Sequence, residues 1–508
     1  MKFAASQQLR LTRRTSLLES GIEVLKEYDS PIFSGASISA DHYDLDQLNA
    51  LPGVVRAWHD QEISLLTPAD KRQVSVPPGN ASQYTVHWAT GVDDLHERGI
   101  LGKGVKIGVI DTGVWYNHVA LGGDGFGPGH KVAGGWDFVG NGWVPGSPRN
   151  PDDDPADEQG HGTHVAGIIA GEAAETGWKG VAPEASLYAY KVFGNSGSTD
   201  NSIVIEAFIK AYEDGMDIIT ASLGSASGFA DNPVALVANR VAAEGVIVTV
   251  AAGNSGSGGP FYASNGGAGD LTISVASADV ARTGESTTLQ PSSFTSWGAL
   301  YDLSVKPDIA APGRDVYSTW IGPDNNSYML VSGTSMATPY IAGVAALYLS
   351  SKASSGGLDI HGKDLARHVV MRIIASGTSI DWVGFSGDGD GAFKASPYQV
   401  GSGLVNALNV VDSDVSFDLQ RFALNDTRRT RRHQDLTIRN DGDTKLTFTF
   451  DLEAAAGYEL LQDYYGIDFT TEFPRIKAWR ELTPIKAEAS MQGPKAFELG
   501  PGKSGKAR

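Results

Sequence analysis

Between residues 83 and 410 the chain alternates short β-branched runs with longer stretches rich in alanine and glycine. That alternation limits what the chain can fold into more than any other feature. Residues 105–110 (Val-Lys-Ile-Gly-Val-Ile), 217–220 and 246–250 read as buried strands, and 203–214 and 234–244 as helices between them. Strands joined through helices pair in parallel, with helices covering both faces of the sheet. The expected fold class is therefore α/β, a parallel sheet flanked by helices. Ligands in such sheets bind outside the carboxyl ends of the strands, so chemistry is expected where these runs end.

The flanks have a different texture. Residues 1–70 read as a small α+β unit: leucines at 45, 48 and 51 mark an amphipathic helix closed by Pro52-Gly53, and residues 54–58 read as a strand. Residues 68–82 are polar and carry Pro77-Pro78-Gly79, a linker pattern. From Val415 the pattern has period two, as in residues 446–452 after the turn at 440–443, which predicts a β-rich, sandwich-like appendage. It holds fewer strand signals than the roughly seven of a sandwich and reads as incomplete. The expected division is 1–70, a linker carrying the maturation site at 71–84, a main domain at 85–412 and the appendage at 413–508.

Composition removes several functions. With 40 basic and 59 acidic residues the net charge is −19, which disfavours a nucleic-acid partner held through its phosphates. The absence of cysteine excludes disulfides, thiolate zinc sites and cysteine nucleophiles. The most apolar stretch, 234–253, is interrupted by Arg240 and Glu244, so no membrane span is expected. No signal peptide is visible, because residues 1–8 lack its apolar region.

Four strand or helix ends carry residues suited to acyl transfer. Asp111 follows the first strand in Asp111-Thr112-Gly113; taken alone it would be an ordinary turn residue. His161 and His164 lie in Gly160-His161-Gly162-Thr163-His164, at the mouth of a helix. The glutamate of the zinc-protease helix motif is missing, so His164 is expected to pack and His161 to work. Ser335, in Ser332-Gly333-Thr334-Ser335, opens a small-residue helix whose first amides have no intrahelical partner. Pro339, early in that helix, is a choice local propensity does not explain. Asn254, in Ala252-Gly253-Asn254, ends the strand at 246–250 and has an amide that could donate to an oxyanion.

Together these motifs resemble the subtilisin-like serine proteases, or subtilases, most closely the fungal extracellular branch. The order Asp, His, Ser is also that of the subtilisin triad. The resemblance implies a serine endopeptidase of broad specificity, with Ser335 as nucleophile, His161 as general base and Asp111 orienting the imidazole. Asn254 and the Ser335 amide would hold the oxyanion. Ser222, Leu223, Gly224, Ala252 and Gly253 would bind substrate, the first three as a strand edge. It also implies that 31–66 belong to an inhibitory propeptide and 415–499 to a fibronectin-type-III-like domain. The expected protein is a secreted, extracellular monomer whose partners are polypeptide substrates and its own propeptide. No cofactor is required for the chemistry.

Other readings are weaker. An α/β-hydrolase esterase would need the order Ser, Asp, His and a second glycine after the serine, where Ala337 stands. The non-enzymatic alternative is an inactive subtilase-like scaffold or a defective truncated product; the four filled motif positions give the scaffold no support. Asp152, Asp153, Asp154, Asp157 and Glu158 could hold structural Ca²⁺, although a solvated acidic loop is the simpler expectation. The basic run 428–432 reads as an exposed strand edge or a processing site. Asn80, Asn325 and Asn425 lie in glycosylation sequons.

Overall fold

The computed structural model describes residues 22–66, 69–73, 85–283, 286–354, 362–385, 387, 391–422, 428–431, 433–461, 475–486, 491–494 and 496–508. Pro77-Pro78-Gly79, Asn80, Asn425 and Arg432 lie outside the described residues.

The N-terminal segment begins with an antiparallel pair, β1 (Glu23–Asp29) and β2 (Ser34–Ser39). Helix α1 (Leu45–Asn49) follows, capped reciprocally by Asp44 and Gln47. The strand expected at 54–58 does not form. Val55 is 99% exposed, the Arg56 guanidinium pairs with Asp231 at 2.6 Å, and the Trp58 indole donates to the Asp231 carbonyl. The segment has no neighbouring strand to pair with, and its side chains anchor it instead. Two short strands complete this part, β3 (Glu62–Ser64) and β4 (Asp70–Gln73). The polar composition of 68–82 predicts a linker, yet Asp70–Gln73 is a strand. Ladder hydrogen bonds use the backbone alone, so composition did not reveal it.

The central sheet is built from β5 (Lys106–Asp111), β6 (Val132–Asp137), β7 (Ser186–Lys191), β9 (Ile218–Ala221), β10 (Ile247–Ala251), β11 (Ile273–Thr283), β12 (Ser286–Pro291) and β13 (Ile309–Pro312). A short strand, β8 (Ser198–Asp200), precedes β9 and stands apart from the sheet, paired with β3. The strand order is β12-β11-β10-β9-β5-β7-β6, with β13 also on β11. Every pairing is parallel except β11 with β12. Both faces of the sheet are buried. Ile107, Val109, Ile218 and Ile247 pack against α2 (His161–Ala170) and α5 (Thr334–Ser354), while Ile110, Ile219, Val248 and Val250 pack against α3 (Asn201–Glu213) and α4 (Pro233–Ala243). A strand buried on both sides is apolar on both faces, which is why these runs do not alternate, and the buried Thr220 and Thr249 hydroxyls bond each other at 2.9 Å.

Helix α5 is buried over its first sixteen residues and more, an apolar cylinder through the domain centre. It follows the hairpin β14 (Val316–Trp320) and β15 (Ser327–Ser332), to which β4 adds a third strand. The C-terminal region is β-rich: β16 (Val415–Phe417), β17 (Leu436–Asn440), β18 (Leu446–Thr449), β19 (Ala456–Tyr458), β20 (Pro484–Lys486), β21 (Ala496–Leu499) and β22 (Ser504–Ala507) form three small antiparallel sheets. Trp479 ties it to the main domain by packing on Trp297, ring centroids 5.6 Å apart. Residues 428–431 form no strand, contrary to the edge-strand expectation; pairing begins only at Leu436.

Candidate active site

Asp111 is the last residue of β5 and is fully buried. Its Oδ1 accepts from the Thr112 N–H and from His161 Nδ1, both at 2.8 Å. His161 is the first residue of α2, and two contacts set its distance from Asp111. The Gly162 N–H donates to Thr112 Oγ1 at 2.8 Å, and a Cβ on Gly162 would come within 2.1 Å of the Gly113 carbonyl oxygen. Only glycine lets the helix approach the strand end this closely. A carboxylate on Nδ1 leaves Nε2 as the free ring nitrogen. That atom is buried and has no hydrogen-bond partner.

Ser335 lies in the first turn of α5 and is 0% exposed. Its hydroxyl donates to the Ser222 carbonyl at 3.4 Å, and the Ser222 hydroxyl donates to the Ser335 carbonyl at 2.9 Å. Pro339 explains the second bond. It has no N–H to give to the residue four back, so the Ser335 carbonyl is left for a side chain. Asn254, three residues beyond β10, accepts through Oδ1 from the Thr334 N–H at 3.0 Å and hydroxyl at 2.9 Å. These bonds turn its Nδ2 toward Gly333, where a Cβ would lie 3.3 Å from it.

His164 packs, as expected. Its Nε2 meets the Met329 carbonyl at 3.1 Å, and burial drives its pKa down to about 3. Ser222-Leu223-Gly224 forms one wall of a groove already filled by the N-terminal segment. Leu65 bridges Leu223 antiparallel, and the Gly224 N–H donates to the Ser64 carbonyl at 3.4 Å. Gly224, at φ +150°, could not carry a side chain: its Cβ would lie 1.9 Å from Ser264 Oγ. Ala252 and Gly253 belong to the adjoining loop but have no backbone donor to spare. The Ala252 N–H goes to Val275 O and the Gly253 N–H to Thr334 Oγ1.

Two contributors escaped the sequence reading. The opposite wall of the groove is β8, which pairs with β3 while Leu65 N–H donates to the Gly197 carbonyl at 2.7 Å. Only the polar run Ser196-Gly197-Ser198 could have suggested it. The other is Asp157, assigned to a solvated loop but buried. It accepts from the Gln159, Gly160 and Thr163 N–H groups and from the Thr163 hydroxyl, at 2.6–3.0 Å. Burial pushes its carboxyl up from the ordinary value against the pull of these bonds.

The other carboxylates of the loop, Asp152, Asp153, Asp154 and Glu158, are exposed, as a solvated loop requires. Asp154 accepts from Tyr116 OH, Glu158 from the Gly142 N–H, and Asp152 from the Asp154 N–H. The buried Lys191 ammonium lies among Asp137, Asn141 Oδ1 and the Ala156 carbonyl, at 2.6–3.1 Å. The Lys191 ammonium occupies the space beside Asp137 and the Ala156 carbonyl, and Asp157 is taken up by its own donors, so neither of these two carboxylates is open to a calcium ion. Among the described residues no cluster of His, Asp and Glu suits a metal ion. None has a helix long and apolar enough to cross a membrane. Asn325, the described sequon, accepts from the Trp115 indole at 2.8 Å.

A carboxylate-backed imidazole at the start of α2 and a serine at the start of α5, on two helices packed together, define as a class a serine hydrolase. The model of the subtilase family matches residues 102–391. Subtilisin DY of Bacillus licheniformis is 38% identical over 259 residues, 51% of this chain and 81% of that protein. Thermitase of Thermoactinomyces vulgaris is 38% identical over 261 residues, 51% of this chain and 79% of its own length. M-protease of Shouchella clausii (strain KSM-K16) is 34% identical over 343 residues, 67% and 75% of the two chains. The chain belongs to the subtilase family. It is a subtilisin-like serine endopeptidase, a hydrolase of polypeptides, and the chemistry of its family uses no cofactor.

Proposed function

We propose that Ser335 attacks the scissile carbonyl, with His161 taking the hydroxyl proton and passing it to the leaving amine. Asp111 fixes the imidazole tautomer and stabilises the imidazolium. The Ser335 hydroxyl must turn from the Ser222 carbonyl toward His161 Nε2, the one ring nitrogen without a partner. As the tetrahedral oxyanion forms, Asn254 Nδ2 and the Ser335 N–H donate to it. The acyl-enzyme is then hydrolysed by water through the same base. The observation that carries this assignment is the 2.8 Å bond between Asp111 and His161, which leaves the imidazole Nε2 buried and without a partner.

Specificity is broad, because Ser222-Leu223-Gly224 and β8 engage the peptide through its backbone. Residues 1–70 act as the propeptide, residues 71–84 link it to the peptidase domain at 85–412, and 413–508 form the appendage. The mature enzyme works outside the cell as a monomer, and calcium has no part in the chemistry.

Labelling with a serine-directed fluorophosphonate tests the assignment. The modified peptide should contain Ser335, and Ser335→Ala should lose both the label and all but a trace of casein hydrolysis, a drop of more than about a thousandfold. A variant that kept a tenth of the activity would remove Ser335 as nucleophile.

A further inference from the structure

The strand β4 does more than extend the hairpin. It runs antiparallel along β15, with Asp70 opposite Ser332, Lys71 opposite Val331, Arg72 opposite Leu330 and Gln73 opposite Met329. The Ala69 N–H donates to the Ser332 carbonyl at 2.8 Å. Strand β15 ends just before Ser335, and its other edge is taken by β14. On the far side of Ser335, residues Glu62–Ser64 and Leu65 pair with β8 and Leu223. One chain segment therefore lies along two separate edges, its earlier residues on one and its later residues on the other, with Ser335 between them.

We propose that Trp320, beside the outer edge of β15, selects a cationic side chain at the position of Lys71 in the leaving-group half of a polypeptide substrate lying there in the positions of Ala69 to Gln73. This rests on the reading that the N-terminal segment lies in the groove as a substrate does. The sequence Asp-Lys-Arg-Gln has no apolar residue to bury, so its seat on β15 comes from backbone pairing. An edge strand offers that pairing to any extended chain. One side chain adds selectivity. Lys71 Nζ lies 5.9 Å from the centroid of the Trp320 ring, within the range of a cation–π attraction. The ring is held in place by Gly160, where a Cβ would approach it to 2.5 Å. It therefore lies next to His161 and offers a fixed aromatic surface to whatever occupies the edge.

The test uses two peptides, one with the sequence of residues 58–73 and one ending at Ala69, offered to the purified wild-type enzyme. The longer peptide should be cut with kcat/KM at least fivefold higher; equal values would overturn the edge as a binding strand. Lys71→Ala in the longer peptide should lower kcat/KM two- to fivefold with wild-type enzyme and leave it unchanged with Trp320→Ala. An equal drop with both enzymes would remove Trp320 as the selecting group, and because the comparison is a ratio, a general loss in that variant does not obscure it. If casein is cut and neither peptide is, the substrate-like reading of the segment itself fails, a result distinct from equal rates.

Discussion

Asp157 illustrates how much one side chain can organise. Its two carboxylate oxygens collect three backbone donors and one hydroxyl at the start of α2, donors the helix itself cannot satisfy. The negative charge also faces the positive end of the helix. Because His161 is the first residue of that helix, Asp157 fixes the direction from which the imidazole reaches Asp111. Asp157→Ala strands several buried donors and should cost on the order of 3 kcal/mol. It should lower the thermal midpoint by several degrees and kcat/KM by at least tenfold. Asp157→Asn keeps one accepting oxygen and should fall between. Thermal melts and casein assays on the three proteins check this, and equal kcat/KM throughout would show that α2 needs no such anchor.

At the scale of elements, the proposed self-processing makes a prediction through the antiparallel register. Ser64 faces Gly224 and Leu65 faces Leu223, so Leu66 falls opposite Ser222, whose carbonyl receives the Ser335 hydroxyl. Intact-mass measurement should find wild-type protein cut after Leu66, ahead of the linker at 71–84 where composition places the maturation site, and Ser335→Ala uncut. Equal processing of both would assign the cut to another protease. The sequence carried Asp111, His161, Asn254 and Ser335 plainly, because each stands where an apolar run or helix begins or ends within a short motif. It could not carry β4 or β8. Their pairing is made by backbone groups common to all residues, and their partners lie more than a hundred residues away along the chain. The strand expected at 54–58 failed for the converse reason: suitable side chains without a neighbouring edge. Asp157 was hidden by its acidic surroundings, in which a buried carboxylate looks like a solvated one.

At the scale of the whole molecule, stability should depend on pH through buried histidines. Burial lowers His164 to about 3 and His87 to about 4, below the 6.5 of an exposed imidazole. The unfolded chain therefore binds more protons than the folded one between about pH 4 and 6.5. Stability rises with pH across that window, is fully present above it, and is lost as pH falls through it. Each histidine contributes a slope of about 1.4 kcal/mol per pH unit. The raised Asp157 carboxyl acts in the opposite sense. Melting Ser335→Ala protein, which cannot digest itself, from pH 7.5 to 4.5 should show a falling midpoint, and His164→Gln should flatten the fall. A midpoint independent of pH would mean that these imidazoles gain protons without unfolding.

On the proposed reading, the segment that fills the groove is a propeptide covalently part of the enzyme it blocks. Its local concentration is fixed by the chain between them and is insensitive to dilution. Foreign polypeptides must therefore outcompete an occupant whose presence does not decline as the protein spreads, while the first cut is a unimolecular event with the same half-time at every protein concentration. Severing one peptide bond turns that occupant into an ordinary ligand, and only then does dilution begin to favour an open groove.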